Sequence, residues 1–372
     1  MRSLLYLVPR TVLYRLFWAK GRPRSLPVNI TMSVTNKCNS RCSTCLIWEL
    51  YHNRADLQEK EFNTNEFLKV FDSLGGSPFW VTLSGGEPYL RDDLPRICEG
   101  IVDSSQPAII NIPSNGLLPD LIETKTRDIL GRIGNTTLIV NLSLDAVGER
   151  HDEIRGVRGN FKALIETYRR LQSLRESHSC FRVGIHTVVS KLNIDDILAT
   201  YDFVKELRPD SHIAEVAEER SELFNIGRDI TPLPDSYAAV MGEYMRRIRR
   251  DYLFWGKDTS KLTQAFRLVY YQIAIEVLRQ HQQIIPCYAG IASCQITPFG
   301  DVWPCCTLGN TKKMGNLREV DYDFKRIWTS DRAKDVRKFI RDRNCACPLA
   351  NAHYTSMLCN LEALIKVIRE MR

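Results

Sequence analysis

The pattern that most restricts this 372-residue chain is an alternation of short β-branched runs with amphipathic ones, from residue 28 to about 218. Strands are read at 28–35 (VNITMSVT), 79–85 (FWVTLSG), 108–114 (AIINIPS), 136–145 (TTLIVNLSLD), 181–189 (FRVGIHTVV) and 212–218 (HIAEVAE). Helices are read at 64–74, 93–103, 119–131, 161–176 and 194–207. The strand runs are apolar and bounded by Gly, Asn or Asp, as buried parallel strands are. Parallel strands joined by crossover helices curl into barrels. The expected class is α/β, a partial (β/α)6 TIM-like barrel with its chemistry at the C-terminal ends of the strands.

The rest of the chain divides around that core. Residues 27–225 make the barrel, 226–285 a helical connection entered through Pro232 and Pro234, and 286–372 a smaller domain. After Pro286 the chain becomes Gly/Pro-punctuated and cysteine-rich, and 361–372 reads as a basic amphipathic helix. The first 26 residues are apolar, aromatic and basic, and Pro9, Arg10 and Arg15 interrupt them too often for a membrane span. Leu5, Val8, Val12 and Leu16 share one helical face, Arg15 intrudes on it, and Trp18, Arg22 and Arg24 follow. Two readings stand level: a membrane-surface anchor, or a helix packed on the main domain. Net charge is 51 − 44 = +7, spread out, which hints at anionic partners without naming one. No nucleic-acid partner is expected.

The chain has 12 cysteines. A long chain without a cleavable signal is not a secreted disulfide scaffold, so reduced thiolates binding metal inside a cell are the better reading. Three cysteines lie in 38-CNSRCSTCLIW-48, directly after the first strand, which places three soft ligands on one loop. A four-iron cluster held there keeps one iron without a protein ligand. Zinc would take His52 as its fourth ligand. The second strand ends in 84-SGGEP-88, where two glycines permit close backbone approach and a carboxylate beside them can hold an ammonium group.

With these two motifs on neighbouring strands, residues 28–220 resemble the radical S-adenosylmethionine superfamily. The resemblance implies that Cys38, Cys42 and Cys45 hold a [4Fe-4S] cluster whose open iron binds the amino and carboxylate groups of S-adenosylmethionine. It implies that one electron, from a reductant such as flavodoxin or ferredoxin, cleaves the sulfonium to methionine and a 5′-deoxyadenosyl radical that abstracts a substrate hydrogen. Gly85, Gly86 and Glu87 would then line the methionine amino group. Further matches are 114-SNG-116, 143-SLD-145 and 155-RG-156, which assign Asn115, Ser143 and Arg155 to ribose and carboxylate contacts. Trp48, or the neighbouring Ile47, would pack near the adenine. Each has a plain alternative: a turn for Asn115-Gly116, a strand-end cap for Ser143, core for Trp48. His186, at the end of the fifth strand, reads more readily as a satisfied core histidine.

The C-terminal stretches 287-CYAGIASCQITPFGDVWPCC-306, 315-GNL-317 and 345-CAC-347 resemble the SPASM or twitch auxiliary-cluster domains of the same superfamily. Pro298-Phe299-Gly300-Asp301 has the chemistry of their hairpin turn. Cys287, Cys305, Cys345 and Cys347 are then the four ligands of one auxiliary [4Fe-4S] cluster. The chain departs from the full pattern: the final pair is CxC, Asn351 and His353 stand where a further cysteine belongs, and Cys294, Cys306 and Cys359 are left over. One auxiliary cluster is therefore expected rather than two, with a zinc ribbon as the minority reading.

The resemblance implies a radical SAM enzyme whose auxiliary cluster relays an electron or binds substrate. Residues 1–26 are expected to be too few for the peptide-recognition domain that often precedes such barrels. With the basic aromatic start, the leading expectation is a lipid, a lipid-linked sugar or another small molecule, handled in the cytoplasm or at the inner face of the membrane. The alternative is a peptide (RiPP) maturase, or a sugar or cyclitol dehydrogenase or epimerase. In an epimerase, Cys98, Cys180, Cys294 or Cys306 would return a hydrogen atom, although Cys98 and Cys180 read better as small buried hydrophobes. A non-catalytic iron–sulfur or zinc protein is the reading from a different class, and the intact SGGEP beside the intact triplet weighs against it.

Overall fold

Six parallel strands carry the fold: β1 (Asn29–Thr35), β2 (Trp80–Gly85), β3 (Ile109–Ser114), β4 (Thr137–Ser143), β5 (Phe181–Val189) and β6 (Ser211–Val216). The computed structural model describes residues 6–20, 23, 25–253 and 258–371. The helices up to the connection are α1 (Leu7–Lys20), α2 (Glu49–Asn53), α3 (Thr64–Leu74), α4 (Leu94–Ser105), α5 (Pro119–Arg132), α6 (Glu149–Arg155), α7 (Asn160–Glu176) and α8 (Ile197–Leu207). The connection is α9 (Pro234–Ile248) and α10 (Asp258–Gln280). Beyond it come β7 (Ser293–Ile296), β8 (Asp301–Trp303), β9 (Gly315–Asn316), α11 (Phe324–Trp328), α12 (Asp331–Arg341), α13 (Ala350–Leu358) and α14 (Leu361–Glu370).

Successive strand residues face opposite ways, and here the two faces differ. Val81 and Leu83 of β2, Ile110 and Ile112 of β3, and Leu138, Val140 and Leu142 of β4 are fully buried in one core with Phe67, Val70 and Phe71 of α3 and Leu164 and Leu171 of α7. On the opposite, lumen-facing side the strands mix apolar residues such as Ile109 and Ile139 with polar ones. Asn141 Nδ2 donates to Asn111 Oδ1 at 2.6 Å, and Asn111 Nδ2 to Thr82 Oγ1 at 3.3 Å. Uniformly apolar strands were the expectation. A lumen that receives a polar ligand instead keeps hydrogen-bonding groups on its inner face.

The sheet runs β6-β5-β4-β3-β2-β1-β7-β8-β9. The hairpin expected to stand in a separate domain therefore continues the barrel sheet, with β7 parallel to β1 from Asn29↔Ser293 to Met32↔Ile296. The free backbone edge of β1 is satisfied in this way. On the other side β6 pairs only with β5, and α13 bridges the gap. Ala350 N donates to Glu215 Oε1 of β6 at 2.6 Å, and Asn351 Nδ2 to Thr31 Oγ1 of β1 at 2.8 Å.

Helix α1 covers the N-terminal ends of the strands. Leu7 and Tyr14 share an apolar cluster with Val28, Phe79 and Ala108, each just ahead of a strand. Arg15, which breaks the apolar face in sequence, turns inward and donates to Cys359 O at 2.6 Å. Val8, Val12 and Leu16, the predicted face, are 57, 50 and 55% exposed. Leu5, Arg22 and Arg24 lie outside the described residues. No helix among the described residues is long and apolar enough to cross a membrane.

Glu66 ties barrel to C-terminal segment. Its carboxylate completes a capping box with Asn63 at the start of α3 and accepts from Arg318 Nε at 2.7 Å and Tyr322 OH at 2.6 Å. Burial alone would raise its pKa, but Arg318, Tyr322 and the Asn63 N–H outweigh it and hold the group at about 2. Because the folded value lies below the ordinary 4.5, the tie is fully present above pH 4.5 and lost as pH falls towards 2. Arg318 is 37% exposed, so solvent screening limits the contribution to about 1–2 kcal/mol. Denaturation midpoints should show the parent losing that stability between pH 5 and 2.5, while Glu66→Gln starts lower and shows a flatter profile. Parallel profiles would refute it.

Candidate active site

The cysteine loop leaves the C-terminal end of β1 and is gripped from three sides. Gly86 N donates to Thr35 O and Glu87 N to Lys37 O, both at 2.8 Å. A Cβ on Gly85, whose φ is +120°, would sit 2.0 Å from Thr35 O, and one on Gly86 2.2 Å from Lys37 O. The glycine pair thus presses β2 against the root of the cysteine loop, a role that sequence alone did not assign to it. From α6, Arg155 O accepts from Arg41 N at 3.0 Å and Ile154 O from Ser43 N at 2.8 Å. Gly156, at φ +66°, permits this, since a Cβ there would lie 2.3 Å from Arg41 O. After β6, Leu223 O accepts from Leu46 N at 2.8 Å, and Asn225 Nδ2 donates to Thr44 O at 2.8 Å.

Cys42 is buried, and Cys38 and Cys45 are half-buried. Burial pushes the Cys38 and Cys45 thiols up to about 12, and the neighbouring Cys42 adds to both. Three such thiols side by side need a positive charge if they are to ionise together. One candidate is the buried Arg155 guanidinium, with Nη1 3.7 Å from Cys42 Sγ and Nε 2.7 Å from Asp145 Oδ2. Its burial favours loss of the proton, but Asp145 and Cys42 outweigh that and raise its pKa. Arg155 therefore faces a thiol and a carboxylate, a pairing absent from the sequence reading. His52, which a zinc site would need as fourth ligand, is exposed on α2.

Glu87 is buried and accepts from Asn115 N at 2.7 Å and Tyr89 N at 3.2 Å. Burial raises its pKa to about 7 despite these N–H groups. Asn115 Nδ2 donates to Asn39 Oδ1 in the cysteine loop at 2.7 Å. Ser143 ends β4 beside His186 of β5. His186 is not a closed core histidine: it is half-buried, with Nε2 3.3 Å from Glu215 Oε2. Trp48 is half-buried ahead of α2, the Arg41 guanidinium lies 6.0 Å from its ring centre, and Ile47 is buried.

In the C-terminal segment Cys287, Cys305, Cys345 and Cys347 line one cavity with Gln283, Thr307 and His353. Burial raises all four thiols, Cys287 to about 11 and Cys305 and Cys347 well above the usual range. Gln283 Nε2 donates to Cys345 Sγ at 3.4 Å, and His353 Nε2 bonds to Cys347 O at 2.6 Å. Burial lowers the His353 pKa to about 4 and keeps the ring neutral. Among the described residues no three His, Cys, Asp or Glu side chains converge on a single metal position. The four thiols surround a space instead.

The remaining cysteines go elsewhere. Cys98 and Cys294 are buried in the core, Cys180 is half-buried, and Cys359 ends α13. Cys306 turns towards the barrel, with Arg220 Nη1 3.3 Å from its sulfur. Arg220, Glu222 and Glu218 were not singled out from sequence, although the charged run 218-EERSE-222 at a strand's C-terminal end was the available signal.

Residues 32–204 match the family model of the radical SAM superfamily, and residues 287–348 match that of SPASM, an iron–sulfur cluster-binding domain. The chain is 31% identical over 185 residues to the Fe-coproporphyrin III synthase of Methanosarcina barkeri, covering 48% of this chain and 41% of that protein. It is 27% identical over 173 residues to the sporulation killing factor maturation protein SkfB of Bacillus subtilis, covering 46% and 38%. To the AdoMet-dependent heme synthase of M. barkeri it is 26% identical over 330 residues, 85% of each chain. The matches thus span about two fifths of the length of the first two relatives. SuiB of Streptococcus suis bound to its precursor peptide SuiA superposes with TM-score 0.58 at 15% identity, over 92% of this chain and 72% of that one. The enzyme anSMEcpe with bound AdoMet and a Cp18Cys peptide superposes with TM-score 0.59 at 14% identity, over 93% and 96%. At these identities the likeness is one of fold.

Proposed function

This chain belongs to the radical SAM superfamily and carries a SPASM domain, and from that premise we propose that it modifies a peptide by hydrogen-atom abstraction. Its cofactors are S-adenosylmethionine and [4Fe-4S] clusters. We assign one cluster to Cys38, Cys42 and Cys45 and one auxiliary cluster to Cys287, Cys305, Cys345 and Cys347. Bound there, the cofactors supply a 5′-deoxyadenosyl radical that takes a substrate hydrogen, and a second redox centre able to accept the electron left behind.

The observation that carries the assignment is the partition of the thiols. Four of the seven C-terminal cysteines share one cavity, and the other three lie outside its lining. Around the first site the chain's own groups have distinct tasks. Arg155 offsets thiolate charge, and Glu87, held by two backbone N–H groups, is set to accept from an ammonium group. Gly85 and Gly86 keep β2 against the loop. Ser143 ends β4 and Asn115 directly follows β3 on the S-adenosylmethionine side, and Trp48 offers a face to the adenine.

The peptide reading draws on SkfB and on the two solved enzymes with bound peptides. A porphyrin, with carboxylates on its rim, suits less well a strand-six end where Glu215, Glu218 and Glu222 outnumber Arg220. The lipid expectation rested on α1, and α1 covers the end of the barrel opposite the cysteine loop.

Anaerobic reconstitution tests the reading. Two clusters give about eight irons per chain and three give about twelve, and dithionite with S-adenosylmethionine should yield 5′-deoxyadenosine. A pooled peptide library should accelerate that formation while phospholipid vesicles do not. A fully loaded protein that makes no nucleoside sinks the reaction, and acceleration by vesicles alone sinks the peptide.

A further inference from the structure

We propose that Glu218 and Arg220 anchor one amide group of the substrate, Glu218 accepting from its N–H and Arg220 donating to its C=O. The proposal rests on the peptide reading above. The two residues follow the C-terminal end of β6 and are two apart on chain that is extended at Arg220 (φ −140°, ψ 138°), a spacing that sends side chains to one side.

Their backbone is fixed. Ala217 N donates to Val189 O at 2.7 Å, Arg220 N to Asn225 Oδ1 at 2.6 Å, and Asn225 Nδ2 to Glu218 O at 3.3 Å as well as to Thr44 O. The segment is therefore held against the first cysteine loop. Its side chains reach towards the C-terminal segment: Arg220 Nη1 meets Cys306 Sγ, next to Cys305 of the second group, and the Cys347 side chain of that group lies against the Glu218 carboxylate. Glu218 and Arg220 thus stand between the two proposed clusters, where a substrate that is attacked at one and oxidised at the other must lie.

Two atoms there lack partners. Glu218 Oε2 and Arg220 Nε are both buried, and neither has a hydrogen-bond partner among the described residues. The rest of each group is partnered: Arg220 Nη1 lies 3.6 Å from Glu222 Oε2, and Cys347 lies against the Glu218 carboxylate. Leaving a buried acceptor and a buried donor atom unsatisfied is costly, and such atoms gather where a ligand completes them. A carboxylate only accepts and a guanidinium N–H only donates. The pair therefore calls for one donor and one acceptor side by side, as a peptide amide offers. A phosphate or polycarboxylate would satisfy Arg220 and repel Glu218, and a simple amine would do the reverse.

The test uses the full chain, reconstituted with iron, at pH 8 and without turnover. N-acetylglycine N-methylamide carries both groups, and N-acetylsarcosine dimethylamide carries acceptors only. Saturation-transfer NMR should show the parent binding the first about tenfold more tightly, a difference that Glu218→Gln reduces to about twofold or less, while Arg220→Gln weakens both probes alike by about tenfold. Iron content should match the parent. A parent without preference, a preference kept in Glu218→Gln, or an affinity for both probes unchanged in Arg220→Gln overturns the anchor. Binding is read apart from catalysis, so a parent that shows the preference yet makes no 5′-deoxyadenosine loses the reaction and keeps the anchor.

Discussion

A chain carrying Cys38→Ala, Cys42→Ala and Cys45→Ala together is expected to leave reconstitution with about four irons fewer than the parent and to form 5′-deoxyadenosine at least about a thousandfold more slowly. The reason is local. The three thiols share one short loop whose backbone is clamped by β2, by the end of α6 and by the segment after β6, so no neighbouring cysteine can be drawn in as a replacement. Alanine removes the ligands without straining that frame, and the circular dichroism of the variant should match the parent. The companion variant Cys345→Ala with Cys347→Ala should lose a different set of about four irons. Iron counts and nucleoside yields check both. A triple variant that keeps its full iron, or still cleaves S-adenosylmethionine, would sink the assignment.

The second large effect falls on Arg155→Met. Asp145 is 1% exposed, Arg155 Nε lies 2.7 Å from it, and the same guanidinium reaches Cys42. Removing one partner of a buried pair strands the other charge, at a typical cost of about 3–5 kcal/mol. Among the described residues the Asp145 carboxylate then keeps only its bond from Val188 N at 2.9 Å. Adding Asp145→Asn should recover much of the loss, because the two positions are coupled and their effects do not add. Chemical denaturation of the iron-free chains measures both. A loss below about 1 kcal/mol for Arg155→Met alone would mean that the pair is not buried in the way described.

How much of this was legible beforehand differs by feature. The βα alternation exposed the barrel because one face of each strand is packed against helices, and that face writes a strong apolar period. The polar residues of the inner face were overlooked because Asn111, Asn141 and Thr82 read as interruptions when their partners on other strands are unknown. The pairing of β7 with β1 joins residues more than 260 apart, and no local pattern encodes it. Periodicity groups Val8, Val12 and Leu16 of α1 on one side but cannot say whether that side looks inward, and here all three are exposed. Leu7, Tyr14, Arg10 and Arg15 do the docking, the arginines through long stems with polar ends, and Val8, Val12 and Leu16 remain outside. The cysteine groupings were legible from their spacing, and the structure brings Cys287, Cys305, Cys345 and Cys347 to one cavity. Arg155 with Asp145, and Glu218 with Arg220, were harder, since charged residues near loops are common and only burial sets these apart.

Helix α13 has a bearing on how the chain matures. Asn351 bonds to Thr31 across 320 residues of sequence, and Ala350 reaches β6 from the same turn. The reaction chamber therefore lacks part of its wall until a segment made very late has come back to the first strand. That segment begins three residues after Cys347. The four-thiol cavity and the chamber wall thus depend on the same late segment, and without it the chamber would stand open to water.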